Sequence, residues 1–156
     1  MILFGYQNAD AKENIPGTKV SLDVPFGFEP SQEFPGFQQV STNSYIEVHE
    51  IAQPFTAVST EYLDSNNLKK TDSIILNKNE IPGSYRSVLL YLKQQAYGKD
   101  FRKWVLITGD EEAAAIITAT FPAEYEAALL NTLKAVVAGA TWNKEEMLPL
   151  QGRTIK

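Results

Sequence analysis

The stretch Ser84–Tyr97, "SYRSVLLYLKQQAY", decides the fold. Its β-branched and aromatic residues favour a pleated backbone. Alternation places Val88, Leu90 and Leu92 on one side, with Leu89 and Tyr91 on the other. The stretch therefore predicts a long strand with two apolar faces, and the next segments repeat the pattern. In "FRKWVLIT" (101–108), Trp104 and Leu106 oppose Val105 and Ile107. "EEAAAIITATF" (111–121) carries alanines that suit a helix, but Ile116, Ile117, Thr118 and Thr120 favour a strand. Gly98-Lys99-Asp100 turns the chain between the first two, and Gly109-Asp110 reads as a tight hairpin with Gly at the first central position. Strands joined by turns this short form an antiparallel meander. A sheet apolar on both faces needs cover on both.

Downstream, residues 122–139 predict one cover, a helix with Pro122 near its first turn and Glu124 and Glu126 at its positive end. Tyr125, Ala128, Leu129, Thr132, Leu133, Val136 and Val137 form its apolar stripe, Gly139 ends it, and Trp142 folds back. Upstream, "FTAVSTEYLD" (55–64) is the helix for the opposite face, with Phe55, Val58 and Tyr62 at helical spacing. "SNNLKKTD" (65–72) reads as a polar link and "SIILNKNE" (73–80) as a strand closed by a Pro82-Gly83 turn of type II. "YIEVHEI" (45–51) is a strand with Tyr45, Glu47, His49 and Ile51 on one face and Ile46, Val48 and Glu50 on the other. Val20, Leu22 and Val24 alternate with polar residues in a half-buried strand, and a short strand is expected over Phe37–Ser41. The expected organisation is an N-terminal arm (1–18) ending in a Pro16-Gly17 turn, one domain (19–143) and a C-terminal tail (144–156). The fold class is α/β of the α+β type, a single-domain α/β/α sandwich with a mainly antiparallel sheet.

The 156 residues suffice for one sizeable core. Fourteen Lys and Arg stand against 19 Asp and Glu, a net charge of −5. That sign disfavours phosphate backbones and anionic membrane surfaces, and no basic run exceeds Lys69-Lys70. The absence of cysteine removes disulfides, thiolate nucleophiles, cysteine zinc sites and iron–sulfur clusters. No apolar run approaches the ~20 residues of a membrane helix. The opening "MILFGYQNADAKENIPG" lacks the basic region of a signal peptide.

The order of elements resembles the Mog/PsbP-like family. The residues that carry the likeness are "VSLDVPFGFE", "FPGF" ahead of "YIEVHEI", the helix after Pro54, "EIPGSYRS", "KWVLITG", "AAIITATFPAE" and "ALLNTLKAVVAGATW". Together they run from about Val20 to Trp142. The family includes the photosystem II extrinsic protein PsbP, a Ran-binding import factor, and bacterial periplasmic proteins and lipoproteins. The resemblance implies a bacterial binding or assembly module, with a periplasmic or otherwise extracytoplasmic location favoured over the cytoplasm. It brings no shared catalytic residues, so no site is transferred from it.

Candidate sites come from the residues themselves. His49 is the only histidine, with Glu47 on its strand face. The pair is the weak candidate for a metal site or an acid–base pair. The simpler reading is a partly exposed strand face, because no second histidine supports coordination. Asp110, Glu111 and Glu112 read as a solvated turn, since a tight hairpin lacks the loop that wraps a hard cation. No nucleophile elbow, phosphate loop or dinucleotide fingerprint occurs, so no cofactor is expected. Phe26, Phe28, Phe34 and Phe37 cluster around Pro25, Pro30 and Pro35. They read as the closure of a core end or as a partner-binding patch. Tyr85, Arg86, Tyr91 and Lys93 form a second candidate patch. The leading expectation is thus a non-enzymatic binding or assembly protein with a protein partner. The alternatives are a module for a small apolar or lipid ligand and, third, a hydrolase using His49 with a carboxylate.

Overall fold

The computed structural model describes residues 12–145. In chain order the strands are β1 (Glu13–Asn14), β2 (Val20–Leu22), β3 (Glu29–Pro30), β4 (Gly36–Gln39) and β5 (Ser44–Ile51). Two helices follow, α1 (Phe55–Leu63) and α2 (Ser65–Lys70). Then come β6 (Ser73–Ile81), β7 (Arg86–Ala96), β8 (Lys99–Gly109), β9 (Ala114–Pro122), α3 (Glu126–Ala138) and β10 (Thr141–Trp142). The main sheet has seven strands in the order β3-β4-β5-β9-β8-β7-β6, and β1, β2 and β10 form a three-stranded sheet beside it. Every ladder is antiparallel.

The α/β/α sandwich expected from the two-faced meander is the observed architecture. Leu90, Leu92, Val105 and Ile107 pack under Phe55 and Val58 of α1, with Leu68 of α2 at the margin. Leu89, Tyr91, Trp104, Leu106, Ile117 and Phe121 pack on the opposite face against Leu133, Val136 and Val137 of α3. Ile46 and Val48 join this second core, on the face assigned to them by alternation. Its floor is completed by Val20, Leu22 and Trp142 of the small sheet. Tyr91 is clamped there: its ring stacks on Trp104 at 4.2 Å and its hydroxyl donates to Glu126 Oε2 at 2.6 Å. Burial first, and then that hydrogen bond, pushes the Tyr91 phenol well above its usual pKa.

Several local expectations are corrected by the structure. Residues 65–70 are helical, because the Asp64 side chain caps them by accepting the N–H groups of Asn66 and Asn67 at 3.1 and 3.2 Å. The β7–β8 hairpin turns on Tyr97 and Gly98, both at positive φ (54° and 75°), as the twist of paired strands requires. Gly109 is no turn centre: it pairs with Ala114 inside the ladder, and Asp110 N donates to Ala113 O at 3.0 Å, so the chain reverses at Glu111-Glu112. Gly83 does not take the positive φ of a type II turn, whereas Gly17 does (φ 82°), and Thr18 N closes that turn onto Ile15 O at 3.0 Å. The short strand ends at Gln39, and Val40–Thr42 form a 3₁₀ turn. Pro122 closes β9, and a 3₁₀ turn over Ala123–Tyr125 precedes α3. Within the 1–18 segment, β1 pairs with β2 and Ile15 is fully buried. Of the 144–156 segment, all residues after Glu145 lie outside the described residues, as do Met1–Ala11.

Candidate functional site

At one end of the main sheet the β6–β7 loop, the β8–β9 loop and the start of α1 meet. Pro54 breaks β5 away from α1, and Phe55 N donates to Asp110 O at 2.8 Å, tying helix to hairpin. The hairpin is itself braced. The Asp110 carboxylate accepts the N–H groups of Glu112 and Ala113 at 2.8 and 3.0 Å, and Lys144 Nζ reaches its other oxygen at 2.7 Å. Lys144 also binds Glu112. Gly109 lets the loop lie flat, since a Cβ there would come within 2.5 Å of Ala113 O.

Between these loops Arg86, the first residue of β7, lays its guanidinium over the Phe55 ring at 4.8 Å from the centroid. The groove around the pair measures about 720 Å³ and is bordered by Thr56, Ser84, Asp110, Glu111 and Glu112. It adjoins a second recess of about 270 Å³ under Glu80–Tyr85. Arg86 makes no ion pair among the described residues. The floor is thus aromatic and cationic, and the rim is acidic.

The hydrogen bond from Lys144, followed by the two backbone N–H groups, holds the Asp110 carboxyl down at about 2. A folded-state pKa below the unfolded value means that the bracing is present above about pH 4 and is lost as pH falls toward 2. In Lys144→Met the Asp110 midpoint is expected to rise toward the ordinary carboxylate range. It should stop short of that range, because the backbone donors remain. A carboxyl-carbon NMR titration reads this directly, and an unmoved midpoint would show that Lys144 is not the cause.

The other candidate residues are spread over the molecule. Tyr85 packs on Trp142 at 4.9 Å, beside the groove. Arg86 lies on the α1 side of the sheet, while Tyr91 and Lys93 face the α3 side, where Tyr91 is buried and Lys93 exposed. Only Tyr85 and Arg86 of that set meet in one recess. In the Phe/Pro segment, Phe28 and Phe37 are core residues and Phe26 is fully exposed. Phe34 leans on Tyr45 at 5.7 Å. Phe34 and Phe37 line a separate recess of about 450 Å³ with Pro16, Pro30 and Pro35. His49 is 59% exposed, and its Nε2 lies 3.6 Å from Glu47 Oε2. No group of three His, Asp or Glu residues suited to a metal ion occurs among the described residues. The contacts Arg86–Phe55 and Asp110–Lys144 carry no signal in the sequence, because each spans about thirty residues and depends on strand register.

No family model matches the sequence, and no curated protein does. Solved structures do match in shape. The cyanobacterial PsbP (CyanoP) of Synechocystis sp. PCC 6803 superposes with a TM-score of 0.59 at 9% identity, covering 80% of this chain and 87% of that one. LpqN of Mycobacterium tuberculosis, described as involved in cell envelope biogenesis, gives 0.58 at 12% identity over 78% and 82% of the two chains. A protein of Bacteroides thetaiotaomicron VPI-5482 gives 0.54 at 18% identity, over 90% of this chain and 53% of that one. At such identities the likeness is one of fold, and the chain has a PsbP-like α/β sandwich fold.

Proposed function

We propose that the chain is a non-enzymatic binding or assembly protein, and that the groove at Arg86 and Phe55 receives a segment of a protein partner. The supporting observation is the groove itself: a guanidinium stacked on an aromatic floor, framed by braced loops. Arginine and aromatic side chains dominate binding energy at protein interfaces. Glu80, Glu111 and Glu112 are exposed around it, so the partner segment carries basic residues beside an apolar anchor. The involvement of LpqN in cell envelope biogenesis accords with a binding or assembly role without specifying it.

The test is affinity capture with the purified chain, run in parallel with Arg86→Ala and with Glu80→Lys/Glu111→Lys. A partner retained by the unmodified chain is expected to bind at least about tenfold more weakly to either variant, the range for truncating an interface anchor. Both variants should keep their melting temperature, since the altered side chains are exposed. Equal retention by all three proteins would overturn the assignment of the groove.

A further inference from the structure

A second cavity, of about 160 Å³, lies beneath α1 and α2 and away from the groove. Its lining combines Leu68 and Leu92 with Tyr62, Lys103 and a few smaller polar residues. Most of the polar groups there are already engaged. Thr71 Oγ1 and Ser73 Oγ share a hydrogen bond of 2.9 Å. Gln94 Nε2 donates to Thr71 O, and Asn67 Nδ2 to Glu61 O, each at 2.9 Å.

Two groups are left over. Among the described residues neither Lys103 Nζ nor the Tyr62 hydroxyl has a hydrogen-bond or ion-pair partner, although both side chains are partly buried. A lysine ammonium only donates. The Tyr62 phenol, pushed up to about 12 by burial and then by Glu47, stays protonated at neutral pH, and its hydroxyl can donate as well as accept. The cavity therefore holds donors that lack an acceptor, which is the complement of a carboxylate.

Charge and size narrow the ligand. The Glu47 carboxylate acts on both Tyr62 and Lys103, so a second negative charge on the ligand would be repelled. The volume is about five times the ≈ 30 Å³ share of a water molecule, room for roughly five or six heavy atoms. Leu68 and Leu92 supply an apolar wall. We propose that this cavity binds a small aliphatic monocarboxylate of about butanoate size, with its carboxylate on Lys103 and Tyr62 and its hydrocarbon end against Leu68 and Leu92. This site is independent of the partner groove and stands or falls separately from it.

The experiment is an amide NMR titration of the full chain with sodium acetate, butanoate, hexanoate and inorganic phosphate at constant ionic strength. Butanoate is expected to give saturable shifts at residues 62, 71–73, 92–94 and 103, while phosphate gives none. Lys103→Met should weaken butanoate binding at least tenfold and Tyr62→Phe several-fold. Glu47→Gln should tighten it several-fold by removing the opposing charge. The Lys103 amine, held below its usual pKa chiefly by burial, should move back up when butanoate binds, a shift that a purely structural lysine would not show. Melting curves of the three variants verify that each is folded. Absence of saturable shifts, unchanged binding in Lys103→Met, or phosphate binding as well as butanoate would each overturn the proposal.

Discussion

Gly36→Val is expected to cost roughly 3–5 kcal/mol of stability, the sum of backbone strain and steric overlap. Gly36 sits at φ 150°, and a Cβ there would fall 1.9 Å from Ile46 O. The neighbouring strand cannot give way cheaply, because Gly36 pairs with Glu47 and Phe37 with Ile46. Ile46 and Phe37 are both core residues. Relief of the clash requires β4 to peel from β5, taking Phe37 out of the core and opening the recess under Phe34. In a domain of this size the fall in Tm should be on the order of 10 °C. Gly17→Ala is the control: it also has a positive φ, but nothing lies within 4 Å of its added Cβ. It should lose only about 1 kcal/mol. Equal losses for the two variants would mean that conformational strain, and not contact with Ile46 O, governs position 36.

Trp142→Ala should cost a similar amount, about 3–5 kcal/mol. Trp142 pairs with Val20 and so closes the small sheet over the α3-side core. Its indole N–H donates to Glu50 Oε2 at 3.0 Å, and the same oxygen accepts Lys19 N at 2.9 Å. One carboxylate on β5 thereby joins the two sheets. Removing the ring leaves a void beside Tyr85, whose own ring lies 4.9 Å away. The loss should therefore reach the loop next to the Arg86–Phe55 groove. Trp142→Phe separates packing from hydrogen bonding, since it keeps most of the ring and loses the donor. Its expected cost is about 1 kcal/mol. A Trp142→Phe loss as large as that of Trp142→Ala would put the hydrogen bond, rather than the packed ring, in charge.

The fold was more legible than the sites. Residues 84–121 spell out two apolar faces by alternation, and the helices at 55–63 and 126–138 carry stripes that match them. Both signals are local periodicities that any packed sandwich must have. The corrected elements turn on a capping side chain or on a distant pairing partner. Asp64 turns a polar link into a helix through its side chain. Gly109 reads as a turn centre until the ladder pairs it with Ala114. The Phe/Pro segment divides between core and surface because Phe28 and Phe37 lie over the sheet while Phe26 rides a turn beside Gly27 at φ 86°.

The sequence alone determined the layer order, the two-faced meander, the placement of Ile46 and Val48 in the core, and a charge that disfavours nucleic acid. Those properties follow from residue type and spacing, which are written along the chain. Only the tertiary structure decided which polar groups meet. Arg86 reaches Phe55 and Lys144 reaches Asp110 through strand register, and Lys103 and Tyr62 meet in one recess with no acceptor for either among the described residues. Such encounters depend on side chains distant in sequence arriving at one place, and no local pattern encodes them.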